Sequence, residues 1–221
     1  MAYITTQPRH SELAGNYTIR GSYRLVCSTG AVTLIATRTT TAGFLFTQGW
    51  SSTTTANAFI KYVGARFILA TAYTTAQETG CDLIIARSYT ASCTAATAVD
   101  VGSTIANTGN LVAAQPTSLI VANATRVAST VEITAGTHTL DANPIGFLSA
   151  WSAGIGDQVP LAASQSGKFF GTLFDARESR HEAPIVLAQD EGYMIRNSLL
   201  MGAVGVGHWE FCVEWDEGTP R

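Results

Sequence analysis

Strict alternation of apolar and polar residues marks both ends of this chain. Near the start, the residues on one side of a predicted strand are Tyr17, Ile19, Gly21, Tyr23, Leu25 and Cys27. In the final run, the corresponding residues are Trp209, Phe211, Val213 and Trp215. Because successive side chains of a strand point to opposite faces, the pattern predicts one buried face and one that is solvated or at an interface. We therefore predict a core that includes Tyr17, Ile19, Tyr23, Leu25, Trp209, Phe211, Val213 and Trp215.

Many further short runs have the composition of strands. They are Ala31–Arg38, Phe44–Gln48, Phe59–Val63, Arg66–Tyr73, Leu83–Tyr89, Ser118–Ala122, Arg126–Thr134, Phe147–Trp151, Lys168–Phe174, Ile185–Ala188 and Tyr193–Arg196. Frequent Thr favours strands over helices, and a single short helical turn is predicted within Thr74–Cys81. The sequence predicts an all-β fold, an antiparallel β-sandwich that is jelly-roll-like. We expect a single β-domain over residues 1–221, with residues 1–15 as an extended N-terminal arm.

Glycines suggest where the predicted strands break or turn. Gly64–Ala65 is expected to interrupt one run with a bulge or bend. Gln189–Gly192 is expected to join Ile185–Ala188 to Tyr193–Arg196 as a hairpin, with Gly192 at positive φ. Ser28–Gly30 is expected to join the first two strands in the same way.

The charge composition argues against several classes of partner. Charged residues make up 13% of the chain, against about 25% in an average soluble protein, while hydrophobic residues make up 46%. The chain has two lysines, Lys61 and Lys168, and a net charge of -3. With no basic run to neutralise phosphates, we expect no nucleic-acid partner. We expect no membrane partner either, since no window approaches 18 apolar residues and residues 1–15 do not resemble a secretory signal.

Cysteine and acidic residues offer few chemical groupings. The four cysteines, Cys27, Cys81, Cys93 and Cys212, form no CxxC pair, so free thiols are expected and a disulfide or zinc site is the lesser alternative. His208, Glu210, Glu214 and Asp216 share one face of the last predicted strand and could in principle share a metal. The same alternation arises whenever one face is solvated, so no metal site is predicted. The charged stretch Asp175–Glu182 is interpreted as a solvated loop.

No motif of a known catalytic class is found. Ser166 precedes Gly167, but Ser164 and Lys168 stand where a nucleophile elbow requires glycine. Phosphate-binding loops, dinucleotide fingerprints and HExxH are absent from the sequence. We therefore predict no catalytic residues and no cofactor. Trp50 and Trp151 could stack on sugars if exposed, although packing in a core or subunit interface is the favoured interpretation.

Several segments resemble a family of tailed-phage virion structural proteins. They are Thr75–Glu78, Ala86–Thr90, Thr134–Pro144, Pro184–Leu187 with Glu191–Gly192, and Trp209–Trp215. Thr134–Pro144 is the most specific of them; the others are ordinary strand and hairpin patterns. The resemblance implies a virion component, of the capsid decoration or cement type, and brings no catalytic residues with it.

The resemblance also implies partners and a location. A decoration protein would contact the major capsid protein or other virion proteins, and such proteins are often homotrimers at threefold positions of a shell. The chain would be made in the host bacterial cytoplasm and end in the virion. A tail, collar or fibre component and a carbohydrate-binding β-sandwich are the alternatives.

Overall fold

In a computed structural model, most of the described residues form β-structure. The described residues are 17–30, 43–49, 56–71, 77–91, 93–99, 118, 120, 125–129, 133–134, 136–152, 158–159, 171–177, 183–198 and 206–220. Their strands are β1 (Tyr17–Ser28), β2 (Phe44–Gly49), β3 (Asn57–Thr71), β4 (Gln77–Ala91), β5 (Thr97–Ala98), β6 (Thr125–Val127), β7 (Thr137–Leu140), β8 (Gly146–Ser152), β9 (Gln158–Val159), β10 (Gly171–Asp175), β11 (Ile185–Leu187), β12 (Gly192–Asn197) and β13 (Val206–Pro220). These residues contain no helix, and hence none that could span a membrane.

The strands form two antiparallel sheets that pack as a sandwich, as the alternation predicted. In sheet A the order is β1-β13-β3, and the far edge of β3 pairs in turn with β11, β10 and β9. In sheet B the order is β5-β6-β2-β12-β4, and the far edge of β4 pairs with β8 and then β7. In each sheet, one long strand (β3 in sheet A, β4 in sheet B) pairs with a single strand along one edge and with several short strands along the other. The jelly-roll-like connectivity stays a prediction.

The main core fills the space between the sheets. Trp209, Phe211, Val213 and Trp215 on β13 are fully buried, and Tyr23 and Leu25 on β1 are 2% and 3% exposed. The Tyr23 and Trp215 rings stack with centroids 5.4 Å apart, and sheet B contributes Phe46, which packs against Phe211 at 5.6 Å. The backbones of Tyr17 and Ile19 pair with Pro220 and Gly218, but their side chains lie outside the description.

β3 itself runs unbroken through Gly64–Ala65, but the expected bulge has a counterpart on the neighbouring strand. The pairing of β10 with β3 shifts register between Gly64 and Val63, opposite Thr172 and Phe174. Val63, Gly64 and Ala65 pair with three consecutive residues of β13, so the ladder carries the strand across the glycine. A Cβ at Gly64 would collide with the ring of Tyr62. The glycine makes room for a neighbouring side chain and does not end the strand.

The expected hairpin at Gln189–Gly192 is also wrong. β11 pairs with β3 in sheet A, whereas β12 pairs with β2 and β4 in sheet B, so this turn carries the chain from one sheet to the other. The positive φ of 59° falls on Asp190 and not on Gly192; aspartate tolerates this conformation better than most residues. The turn is closed by a hydrogen bond from the Glu191 amide to the Ala188 carbonyl at 3.2 Å.

The helical turn predicted within Thr74–Cys81 is wrong for the part that is described. β4 begins at Gln77, and Gln77 to Leu83 pair residue by residue with β8. A long strand partner thus overrides the weak local preference. Ala31–Arg38, the second strand of the expected Ser28–Gly30 hairpin, lies outside the described residues, as do residues 1–15. The hairpin, the N-terminal arm and the single domain therefore stay predictions.

Candidate functional site

Three acidic residues of β13, Glu210, Glu214 and Asp216, lie on the outer face of sheet A, between β1 and β3. Glu210 faces Arg66 of β3, with the Arg66 Nε donating to Glu210 Oε2 at 2.9 Å. His208 Nε2 lies 3.7 Å from the other oxygen of Glu210. Asp216 accepts from Lys61 Nζ at 2.6 Å.

Glu214 lies near the middle of this face and has two cationic partners. The Arg24 side chain on β1 donates to Glu214 Oε1 at 2.6 and 2.9 Å, and Arg177 Nη1 donates to Glu214 Oε2 at 3.2 Å. Both carboxylate oxygens are therefore engaged. We call this arrangement of Glu210, Glu214 and Asp216 with their cations the charge ladder.

Arg177 is the most constrained member of the charge ladder. Its guanidinium lies over the Tyr62 ring, 3.7 Å from the centroid, and donates to both oxygens of Asp175 at 2.9 and 3.0 Å. Hydrogen bonding to Asp175 raises the pKa of Arg177. Burial likewise raises the pKa of Tyr62. Arg177, two residues after the end of β10, is thus fixed to the sheet.

The charge ladder accounts for the residues that the sequence offered as metal ligands. Glu210, Glu214 and Asp216 each accept from a guanidinium or an ammonium group. Across the described residues, no group of three or more His, Cys, Asp or Glu side chains is placed to hold a metal. Of the stretch Asp175–Glu182, Asp175 and Arg177 join the ladder, and residues 178–182 lie outside the description. The outer face of β13 is more covered than predicted, with Asp216 only 6% exposed.

A second ion pair, which the sequence did not predict, is buried in sheet B. Arg196 of β12 and Asp82 of β4 are cross-strand partners. Arg196 Nε and Nη2 donate to the two oxygens of Asp82, both at 2.9 Å, and the side chains are 6% and 0% exposed. The sequence feature that could have indicated this pair is a single charged residue in each of two apolar runs, Asp82 in Cys81–Leu83 and Arg196 in Tyr193–Arg196.

The outer face of sheet B also carries a smaller apolar cluster. It consists of Phe44, Ile84, Ala86, Tyr89, Cys93, Ile133 and Met194, with Ala96 and Leu140 packed against it. We call it the second cluster. The Tyr89 hydroxyl donates to Cys93 Sγ at 3.2 Å, and the Gly136 amide donates to the same sulfur at 3.4 Å. Burial raises the pKa of Tyr89 well above its usual value of 10.

One carboxylate lies inside the main core. Glu217 is fully buried near the end of β13 and accepts from Trp215 Nε1 at 3.2 Å and from Ser118 Oγ at 2.5 Å. It falls on the apolar side of the alternation, where the sequence pattern gave no reason to expect a charged group. These hydrogen bonds compensate for the loss of water around a buried acid.

Among the residues that the structure describes, four large apolar side chains are exposed at the surface. They are Val26, Ile145, Phe147 and Val186, with exposed fractions of 59%, 45%, 54% and 40%. Val26 lies on the outer face of sheet A, and its backbone pairs with Cys212 of β13. Phe147 pairs with Asp82, beside the buried ion pair. The side chains of Trp50 and Trp151, proposed above for stacking on sugars, lie outside the described residues, as does Ser166.

Comparison with known proteins adds no relative to these observations. No family model, no curated protein and no solved structure matches this chain.

Proposed function

We propose that this chain is a non-enzymatic structural subunit of a bacteriophage virion, of the capsid decoration or cement type. The observation that carries the structural role is the charge ladder. Its carboxylates accept hydrogen bonds from cations of β1, β3 and the residues that follow β10, and these bonds link the neighbouring segments of sheet A. The assignment to a virion rests on the segment resemblance, above all Thr134–Pro144.

The exposed apolar side chains supply a means of subunit contact. Apolar residues at a surface rimmed by polar groups favour protein–protein interfaces. Phe147 and Ile145 lie close together at the start of β8, and the ladder near Val26 is internally neutralised, so docking there would not require burial of an unpaired charge. We propose the major capsid protein or other virion proteins as the partners, and a homotrimer as the assembled form.

The first test is light scattering on the purified chain after size-exclusion chromatography. A mass near three times 23.3 kDa supports a symmetric trimer. The second test is mass spectrometry of separated heads and tails from virions made by the source of this gene. Recovery with the heads supports the decoration role, recovery with the tails supports the tail alternative, and intact virions without the chain contradict the proposal.

A further inference from the structure

Three polar side chains form a row on the inner face of sheet B. Thr125 of β6 pairs with Gln48 of β2, and Gln48 pairs in turn with Tyr193 of β12. Gln48 lies on the same side of β2 as Phe46, which packs against Phe211 of sheet A. All three polar residues are fully buried. The row therefore brings one amide and two hydroxyl groups into the apolar main core.

The hydrogen bond between Tyr193 and Gln48 sets the orientation of the amide. The Tyr193 hydroxyl donates to Gln48 Oε1 at 2.7 Å. Burial raises the pKa of Tyr193 well above its usual value of 10, so the phenol keeps its proton and needs an acceptor. Because the amide oxygen serves as that acceptor, Gln48 Nε2 must find its own partner elsewhere.

Two atoms of the row have unused capacity for hydrogen bonding. Gln48 Nε2 and Thr125 Oγ1 are buried, and neither has a hydrogen-bond partner within the part of the chain that the structure describes. Exchange of the amide oxygen and nitrogen would move the unpaired position to the oxygen and would not remove it. Native proteins rarely leave buried polar groups unpaired, because the loss of water around them is costly. The two atoms therefore call for a polar ligand.

The placement of the two atoms suits a single water molecule. Cross-strand neighbours have Cβ atoms about 4.5–5.5 Å apart, yet the side chains of Gln48 and Thr125 do not bond to each other. A water bridges two polar atoms through hydrogen bonds of about 2.7–3.0 Å. It can accept from an amide nitrogen and donate to a hydroxyl oxygen. The row itself carries no charge, which favours a neutral ligand over an ion.

We propose that Gln48 and Thr125 form a binding site for one internal water molecule in the main core. The water accepts from Gln48 Nε2 and donates to Thr125 Oγ1. Together with the hydrogen bond from Tyr193, it completes a side-chain chain across β12, β2 and β6 that supplements the backbone pairing. The site is separate from the proposed role in a virion and does not depend on it.

A crystal structure at a resolution that shows ordered water tests the site directly. In the wild-type chain we expect a density peak within hydrogen-bonding distance of both Gln48 Nε2 and Thr125 Oγ1. Thr125→Ser keeps the hydroxyl and should keep the peak, whereas Thr125→Val should lose it. Thr47→Val, at a buried threonine on the other face of β2, should keep it. A wild-type structure without the peak, with a direct Gln48–Thr125 bond or with a larger bound group overturns the proposal.

The sign of a melting-temperature shift gives a second test that needs no crystal. Valine matches threonine in size, so Thr125→Val exchanges a hydroxyl for a methyl group and leaves no cavity. If a water is bound, the variant loses the bridge and leaves Gln48 Nε2 unpaired, and we expect the melting temperature to fall by several degrees. If the hydroxyl has no partner, the same exchange removes an unpaired polar group from the core. An unchanged or higher melting temperature therefore overturns the proposal.

Discussion

The two sheets hold the same kind of ion pair in very different surroundings. In sheet B, Arg196 and Asp82 are almost completely enclosed, at 6% and 0% side-chain exposure. In sheet A, Arg24 and Glu214 are 52% and 12% exposed. Both pairs join neighbouring strands, and both place two guanidinium nitrogens within 3 Å of a carboxylate.

Burial, more than geometry, determines what each pair contributes. At an exposed site, water and salt replace most of a lost partner, whereas a buried charge that loses its partner has no substitute. Loss of the exposed Arg24 from the charge ladder of sheet A should therefore be tolerated, and loss of either partner of the pair in sheet B should not. The comparison predicts a gradient of effects across the molecule.

The largest effect is expected on breaking the buried pair. Asp82→Ala leaves the Arg196 guanidinium buried without its carboxylate, and such changes cost about 3–5 kcal/mol. Denaturant unfolding measures the loss. The control is the double variant Asp82→Leu/Arg196→Met, which removes both charges and should recover most of the stability. If Asp82→Ala is as stable as the wild type, the expected difference between the ion pairs of the two sheets is wrong.

A comparable loss is expected on the inner face of sheet A. Trp215→Ala removes a fully buried ring that stacks on Tyr23, and changes of this kind cost about 3–5 kcal/mol. Glu214→Ala, the adjacent residue on the opposite face of the strand, should leave the melting temperature close to wild type. If Glu214→Ala folds but prevents assembly, then the charge ladder is an interface. Melting of Trp215→Ala within a degree or two of wild type would contradict the assignment of the core.

An intermediate effect is expected where the two sheets meet. A Cβ at Gly146 on β8 would overlap the Leu173 carbonyl of β10. Gly146→Ala should therefore force the backbones apart and cost about 1–3 kcal/mol, as overpacking usually does. Ile145→Ala, at the exposed neighbour, should change the unfolding free energy little. If the two variants are equally stable, then the contact between β8 and β10 can relax to accept the added methyl group.

A small effect is expected from the exposed end of the charge ladder. Arg24→Ala removes one of two cations on Glu214, and exposed pairs contribute about 0.2–1 kcal/mol. The loss should shrink further at high salt, because the Arg24 side chain is half exposed. Thermal melts at low and high salt test this. A salt-independent loss above about 2 kcal/mol, beyond the usual range for exposed pairs, would show that the Arg24–Glu214 pair behaves like the buried pair of sheet B.

The cysteines are expected to make stability depend on pH only in alkali, and not near neutral pH. Burial raises the pKa of Cys27 from 9.0 to about 12 and that of Cys81 well above 9.0. These thiols stay protonated in the folded chain, so their contribution is complete below pH 9 and is lost as the pH rises toward 12. Thiol titration at about pH 8, near the usual thiol pKa, should find both unreactive until denaturant is added. Fast labelling in the native state would contradict the raised pKa of both thiols and, for Cys81, its complete burial.

The sequence predicted the strands better than their partners. The alternation at β1 and β13 depends only on the two-residue period of a strand, so it predicted which side chains face the core. The hairpin between β11 and β12 failed because turn residues look alike whether the next strand stays in the sheet or crosses to the other. Glu217 escaped prediction because its partner Ser118 is 99 positions away.

The sequence by itself determined that this chain forms strands, and which faces of β1 and β13 are apolar, because those properties follow from neighbours one and two residues apart. Only the tertiary structure decided which charges meet. Arg24 lies 190 positions from Glu214, and Asp82 lies 114 positions from Arg196. Contacts at such separations depend on strand order and register, which no local pattern encodes.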